Sequence, residues 1–118
     1  MTLTIPLPGL RLVSLANQRE HWRTRAKRAK AQRTAAHLLV KAALARHGAA
    51  VAFPVAVAIT RIAPRALDDD NLAGACKSVR DGVADALGLD DRDPRVKWAV
   101  AQRRGGKGEY GAEVVLTW

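Results

Sequence analysis

The stretch Leu67–Lys77, LDDDNLAGACK, sets three consecutive aspartates before an asparagine and a helix-forming run, in a chain whose formal charge is +9. Two readings of these aspartates compete. In an extended segment residues i and i+2 face one side, which would bring the carboxylates of Asp68 and Asp70 together. Such a pair repels unless a cation sits between them. A hard cation such as Mg²⁺ takes a few carboxylates together with water and substrate phosphate. Against this, Asp70 is also suited to cap the helix that follows, where a negative charge complements the helix dipole. A second set of carboxylates, Asp90, Asp91 and Asp93, has the composition of an ordinary turn.

Lys77 stands seven residues after Asp70 and returns to nearly the same helix face two turns later. Helical side chains lean toward the N-terminus, so its ammonium would point back at the aspartates and could neutralise a phosphate oxygen or a leaving group. Its plainer role is an ion pair with Asp81 at i+4. Other groups offer less. His21, His37 and His47 have no cysteine at metal-ligand spacing, and Cys76 falls on an apolar stripe. No glycine-rich phosphate loop of the P-loop type occurs. The sequence RVK places Arg95 where an acid-x-lysine nuclease motif needs an acid.

The charge is unevenly spread. Residues 1–65 carry twelve Lys/Arg against one acid, Glu20, whereas residues 66–118 carry eight against ten. A cationic front half suits nucleic acid or an anionic membrane. Arg19, Arg23, Lys27 and Lys30, with Lys41, share one face of the first helix, and Arg65 stands three residues before Asp68. Of these, Arg19, Arg23, Lys27, Lys30 and Arg65 are the candidates for nucleic-acid phosphate contacts. A single cysteine excludes an intrachain disulfide framework and suits a reducing cytoplasm. The opening MTLTIPLPG has no positive start and is broken by prolines, unlike a signal peptide. No apolar run is long enough for a membrane span.

The elements that must position these groups follow from periodicity. With 118 residues, one domain over 1–118 is expected. Leu3, Ile5 and Leu7 alternate as a strand. Asn17 and Glu20 resemble a capping box for a helix running to about Arg46, with Gly48 as its stop. Its buried stripe would be Trp22, Ala26, Ala29, Ala36, Val40 and Ala43. Ala50–Ile62 alternates bulky and small residues as a strand, with Pro54 marking an edge or unpaired start. A second helix over Asn71–Leu87 would be closed by Gly88. At its rise per residue it spans roughly 25 Å, so Asp91 reaches Asp68 and Asp70 within one protomer only if the following loop doubles back or the helix is shorter. Otherwise a neighbouring protomer or another arrangement is needed. RVKWAVAQ and GAEVVLTW read as two strands joined by the hairpin loop RRGGKGEY, with Trp98 and Trp118 in the core. The order β-α-β-α-β-β gives an α+β domain, a mixed sheet packed on two helices.

Together LTIPLPG, FPVAVAITRIAPRALDDDNL and GLDDRDPRVKW resemble, in order and spacing, the RusA family of Holliday-junction resolvases. The likeness covers almost the whole chain. It implies a small Mg²⁺-dependent endodeoxyribonuclease (Mn²⁺ being an alternative metal) of bacterial or prophage origin. Such an enzyme cuts four-way DNA in recombination and repair as a two-fold homodimer, with active sites near the subunit interface. By motif, Asp68 and Asp70 match the family's two metal-binding aspartates and Asp91 the third. There is one departure. The family's catalytic lysine falls at the position of Gly74, and Lys77, one turn on, is the nearest substitute. The alternative is a branched-DNA-binding module of the same fold with weak or no catalysis.

Overall fold

The computed structural model describes residues 1–14, 21–48 and 50–118. In chain order these form β1 (Thr2–Pro8), α1 (Trp22–His47), β2 (Val55–Ala63), α2 (Asp69–Ala75), α3 (Lys77–Leu87), β3 (Val96–Arg104) and β4 (Gly111–Thr117). The class is α+β, with three helices and one four-stranded mixed sheet among the described residues.

The sheet order is β1-β4-β2-β3. β2 and β3 run parallel, from Val55 opposite Val96 to Ala63 opposite Arg104, while β4 lies antiparallel to both β1 and β2. The expected hairpin between the last two strands is therefore not formed: β2 lies between them. The physical reason is burial. β2 is buried at every second residue, Val55, Val57, Ile59, Arg61 and Ala63, and takes a central place. β3 carries exposed Lys97, Arg103 and Arg104, which suits an edge. The connection after β3 crosses the end of β2, where Gly105 N–H donates to the Ala63 carbonyl (2.9 Å). The expected strand start at Ala50 also moves to Val55. Val51 and Phe53 keep the alternation, but the β2 ladder begins only where Val55 meets Val96.

One core is formed by Leu3, Ile5 and Leu7 of β1, the inward residues of β2 and β4, Ala36, Val40 and Ala43 of α1, and Val79 and Val83 of α3. Trp98 and Trp118 pack against its margin, partly buried. α1 buries only small or slender side chains, because α3 comes close. A Cβ on Gly82 would run into the Arg33 carbonyl oxygen and lie 2.7 Å from Ala36 Cβ. The expected stripe holds at Ala36, Val40 and Ala43 but fails at its start. Trp22 is 65% exposed and Ala26 is exposed, so among the described residues the first turns of α1 are not covered. The proposed capping pair Asn17 and Glu20 lies outside the described residues. The observed cap is His21, whose Nδ1 accepts from the Arg23 N–H (3.1 Å).

The expected helix over Asn71–Leu87 starts two residues earlier, at Asp69, and is interrupted at Cys76. Hydrogen bonds bridge the interruption, from Cys76 N–H to the Leu72 carbonyl and from Arg80 N–H to the Cys76 carbonyl, so α2 and α3 act as one crossover between the parallel strands. Burial pushes the Cys76 thiol up to about 11, as befits a core residue. Among the described residues no helix is long and apolar enough to cross a membrane.

Candidate functional site

The motif aspartates are positioned from both sides. Ahead of them, the Gln102 side chain on β3 grips the Leu67 peptide. Leu67 N–H donates to Gln102 Oε1 (2.9 Å), and Gln102 Nε2 donates to the Leu67 carbonyl (2.7 Å). Behind them, buried Leu72 anchors the first turn of α2, and its N–H donates to the Asp68 carbonyl (2.8 Å). Asn71 is fixed by the buried Ser14, whose Oγ donates to Asn71 Oδ1 (3.0 Å).

Asp68, not Asp70, occupies the N-cap position, with extended backbone (φ −62°, ψ 155°). Its side chain makes no capping hydrogen bond. Asp69 and Asp70 fall in the first helical turn, so the extended i, i+2 geometry expected for Asp68 and Asp70 is replaced by a cap and a turn. All three carboxylates are exposed. None forms a hydrogen bond or ion pair with a side chain among the described residues. Their charge is complemented only by the start of the helix.

The later aspartates are all engaged. Arg33 grips Asp85 with two parallel bonds of 2.7 and 2.9 Å, which hold the Asp85 carboxyl below the ordinary range. Asp90 accepts from the Arg92 N–H, and Asp93 pairs with Arg95 (2.9 Å). Lys77 Nζ bridges Asp81 (2.6 Å) and Asp91 (3.0 Å), so its plainer role at i+4 is the observed one. The bond to Asp81, with burial opposing it and Asp91 adding to it, raises the Lys77 pKa.

The loop after Gly88 does double back. Asp91 lies against α3, with its carboxylate 3.0 Å from Lys77 Nζ and 3.6 Å from Arg80 Nε. Its carbonyl accepts from Arg80 (3.0 Å) and from Trp98 Nε1 (2.9 Å), while the Arg80 guanidinium stacks 4.9 Å from the Trp98 ring. The turn brings Asp91 to Lys77 and Arg80 on α3. Among the described residues no group of three or more His, Cys, Asp or Glu side chains is placed to hold a metal ion. Gly74 is exposed, with open space where a side chain would stand.

Exposed cations line the first half of α1. Lys30 and Ser78 line one cleft and Arg33 meets Asp85, so α1 and α3 run side by side in the same direction. Arg23 and Lys27 lie up to two turns before Lys30 on α1. Both are exposed, as is Lys30. α1 has no acid in its first turn. Arg23, in the first turn, opposes the helix dipole, so helix stability does not account for it. Arg19 lies outside the described residues.

Arg65 lines a pocket of about 230 Å³ with Arg11, Arg61, Ser14 and Tyr110. Arg61, Gln102 and Arg11 were not among the residues expected to matter. The signal for Arg61 was present in the sequence: it falls in phase with Val55, Val57 and Ile59, where an arginine does not belong in an apolar face. No comparable signal marks Gln102, whose partner is 35 residues away.

No family model matches the chain. It is similar to an uncharacterized protein of Xylella fastidiosa (strain Temecula1 / ATCC 700964), at 36% identity over 100 residues covering 77% of this chain and 60% of that protein. The chain thus spans about three-fifths of the length of that relative.

Proposed function

We propose that the chain is a RusA-like, Mg²⁺-dependent endodeoxyribonuclease of the bacterial cytoplasm that acts on four-way DNA as a two-fold homodimer. One observation carries this reading: among the described residues Asp68, Asp69 and Asp70 are the aspartates without a side-chain partner in a strongly cationic protein, and they follow the exposed Arg65 closely in the chain. Among the described residues no side-chain capping bond or ion pair engages them, and the helix start alone complements their charge. Mg²⁺ is commonly bound by one or two carboxylates plus water and substrate phosphate, and Asp68 and Asp70 offer those oxygens. Asp91, the third aspartate of the motif, is paired with Lys77 on α3. Divalent-metal chemistry of this class activates water and stabilises charge developing on a phosphoryl group. The chain's own cations would hold the DNA arms through phosphates, with steep salt dependence. Cutting two symmetric strands calls for two sites, hence the dimer.

The test is cleavage of a synthetic four-way junction beside a linear duplex of the same sequence. The expected outcome is paired symmetric cuts in the junction with Mg²⁺, none with a chelator, and an intact duplex. Equal cutting of both substrates would remove the junction assignment.

A second reading, binding of branched DNA without cleavage, is favoured by Lys77 and Asp91 being engaged with each other and by Gly74 at the lysine position. It predicts junction binding with no cleavage in Mg²⁺ or Mn²⁺. Because Gly74 has open space around it, Gly74→Lys should then fold normally and gain metal-dependent cleavage.

A further inference from the structure

Beside the motif lies a pocket whose chemistry is that of an anion seat. It is lined by Arg11, Arg61 and Arg65, by Ser14 and Tyr110, and by Leu67, the residue preceding Asp68; among the described residues no acidic side chain lines it. Arg61 is the unusual member. It is 6% exposed, and its partners are two carbonyls: Nε donates to Leu12 (2.7 Å) and one terminal nitrogen to Arg65 (2.8 Å). Among the described residues no carboxylate pairs with it. Two neutral donors would staple those carbonyls equally well, so the stapling role does not require the charge. A buried guanidinium without a counter-charge is unfavourable. Burial accordingly holds its pKa below the ordinary arginine value.

The walls are fixed around it. Gln32 Nε2 holds the Arg11 carbonyl (2.9 Å), and the Arg11 guanidinium is parked 4.4 Å over the Tyr110 ring at the rim. Arg65 is exposed on the β2 side. Three guanidiniums on one concavity suit the oxygens of a phosphate, which arginine binds with directed donors. The volume is below the roughly 300–1,000 Å³ usual for small-molecule sites, which fits a phosphate group better than a whole nucleotide.

We propose that this pocket seats a phosphate group through Arg61, Arg65 and Arg11, and that the group is a backbone phosphodiester of nucleic acid held next to Asp68–Asp70. The seat stands on the pocket alone, whereas its assignment to a backbone phosphate rests on the nucleic-acid reading above. Ser14, already bonded to Asn71, links the pocket wall to the motif, so a phosphate there would be registered against the carboxylates.

Two measurements separate these layers. In the first, inorganic phosphate is titrated against chloride at equal ionic strength, following the Arg61 Nε–Hε NMR resonance. Saturable movement with phosphate alone is expected, weakened about tenfold or more in Arg65→Gln or Arg11→Gln. These rim variants keep the test open if Arg61→Gln fails to fold. No phosphate-specific movement, or movement unchanged in both rim variants, overturns the seat. In the second, binding of a junction made from strands without terminal phosphates is measured against salt. Arg65→Gln should weaken it and lower the salt slope by about one. Phosphate binding with unaltered DNA affinity and slope in that variant overturns the backbone assignment. If the parent binds phosphate but no DNA, the nucleic-acid reading fails while the seat stands.

Discussion

Two sets of aspartates lie within 26 residues of each other and are treated oppositely. From Asp81 to Asp93 every aspartate has a cation or a backbone N–H within reach: Lys77 for Asp81 and Asp91, Arg33 for Asp85, Arg92 and Arg95 for Asp90 and Asp93. From Asp68 to Asp70 none does among the described residues, although the chain as a whole is strongly cationic. The difference lies in what each set serves. The later aspartates hold α1, α3 and the returning loop together. The earlier ones hold nothing together, so their negative charge is left open to a ligand.

The sharpest way to break this comparison is to neutralise one member of each set. Asp70→Asn should lower Mg²⁺-dependent junction cleavage by about 100-fold or more while junction binding persists and stability stays within about 1 kcal/mol of the parent. Gel-shift, cleavage and urea-melt measurements on one preparation decide it. Cleavage equal to the parent's would return Asp70 to a purely structural role.

The next effect falls on the paired set through its scaffold. Gly82→Ala places a methyl group where the Arg33 backbone already stands, so α1 must move off α3. A loss of about 1–3 kcal/mol is expected. Full stability in a urea melt would mean that the two helices are not packed as described.

The smallest effect concerns the Arg33–Asp85 pair itself. Its partners are 52% and 32% exposed, so it is a surface pair worth about 1 kcal/mol or less. The folded-state pKa of Asp85 is depressed by Arg33. The stability from this group is therefore present above the ordinary aspartate pKa and lost as pH falls through the folded value. Asp85→Asn should be less stable than the parent at pH 7, and the gap should close in acid below the ordinary range. A gap independent of pH would assign the effect to packing.

Periodicity made much of this fold legible. β1 was visible in Leu3, Ile5 and Leu7, the end of α1 in Gly48, and the end of α3 in Gly88. Partner choice was not visible. Nothing in RVKWAVAQ says that it pairs in parallel with β2 rather than with the next strand, because alternation fixes a strand's faces and not its neighbour. Trp22 fitted the helical stripe by spacing, yet a stripe is buried only where something lies across from it. At the candidate site the aspartates were legible as a motif. Their state was not, since pairing depends on which cations the returning loop brings near. The start of α2 was misplaced for the same kind of reason: Gln102 secures the chain just before Asp68 from the far side of the crossover.

That grip also sets how the site would age. A primary amide presents a donor and an acceptor side by side, so Gln102 completes the Leu67 peptide as a neighbouring strand would. Deamidation to glutamate would keep the acceptor and turn an oxygen toward the Leu67 carbonyl, replacing one attraction with a repulsion. A single slow hydrolysis, far along the chain from the aspartates, would loosen the residue that precedes them without altering any side chain of the motif.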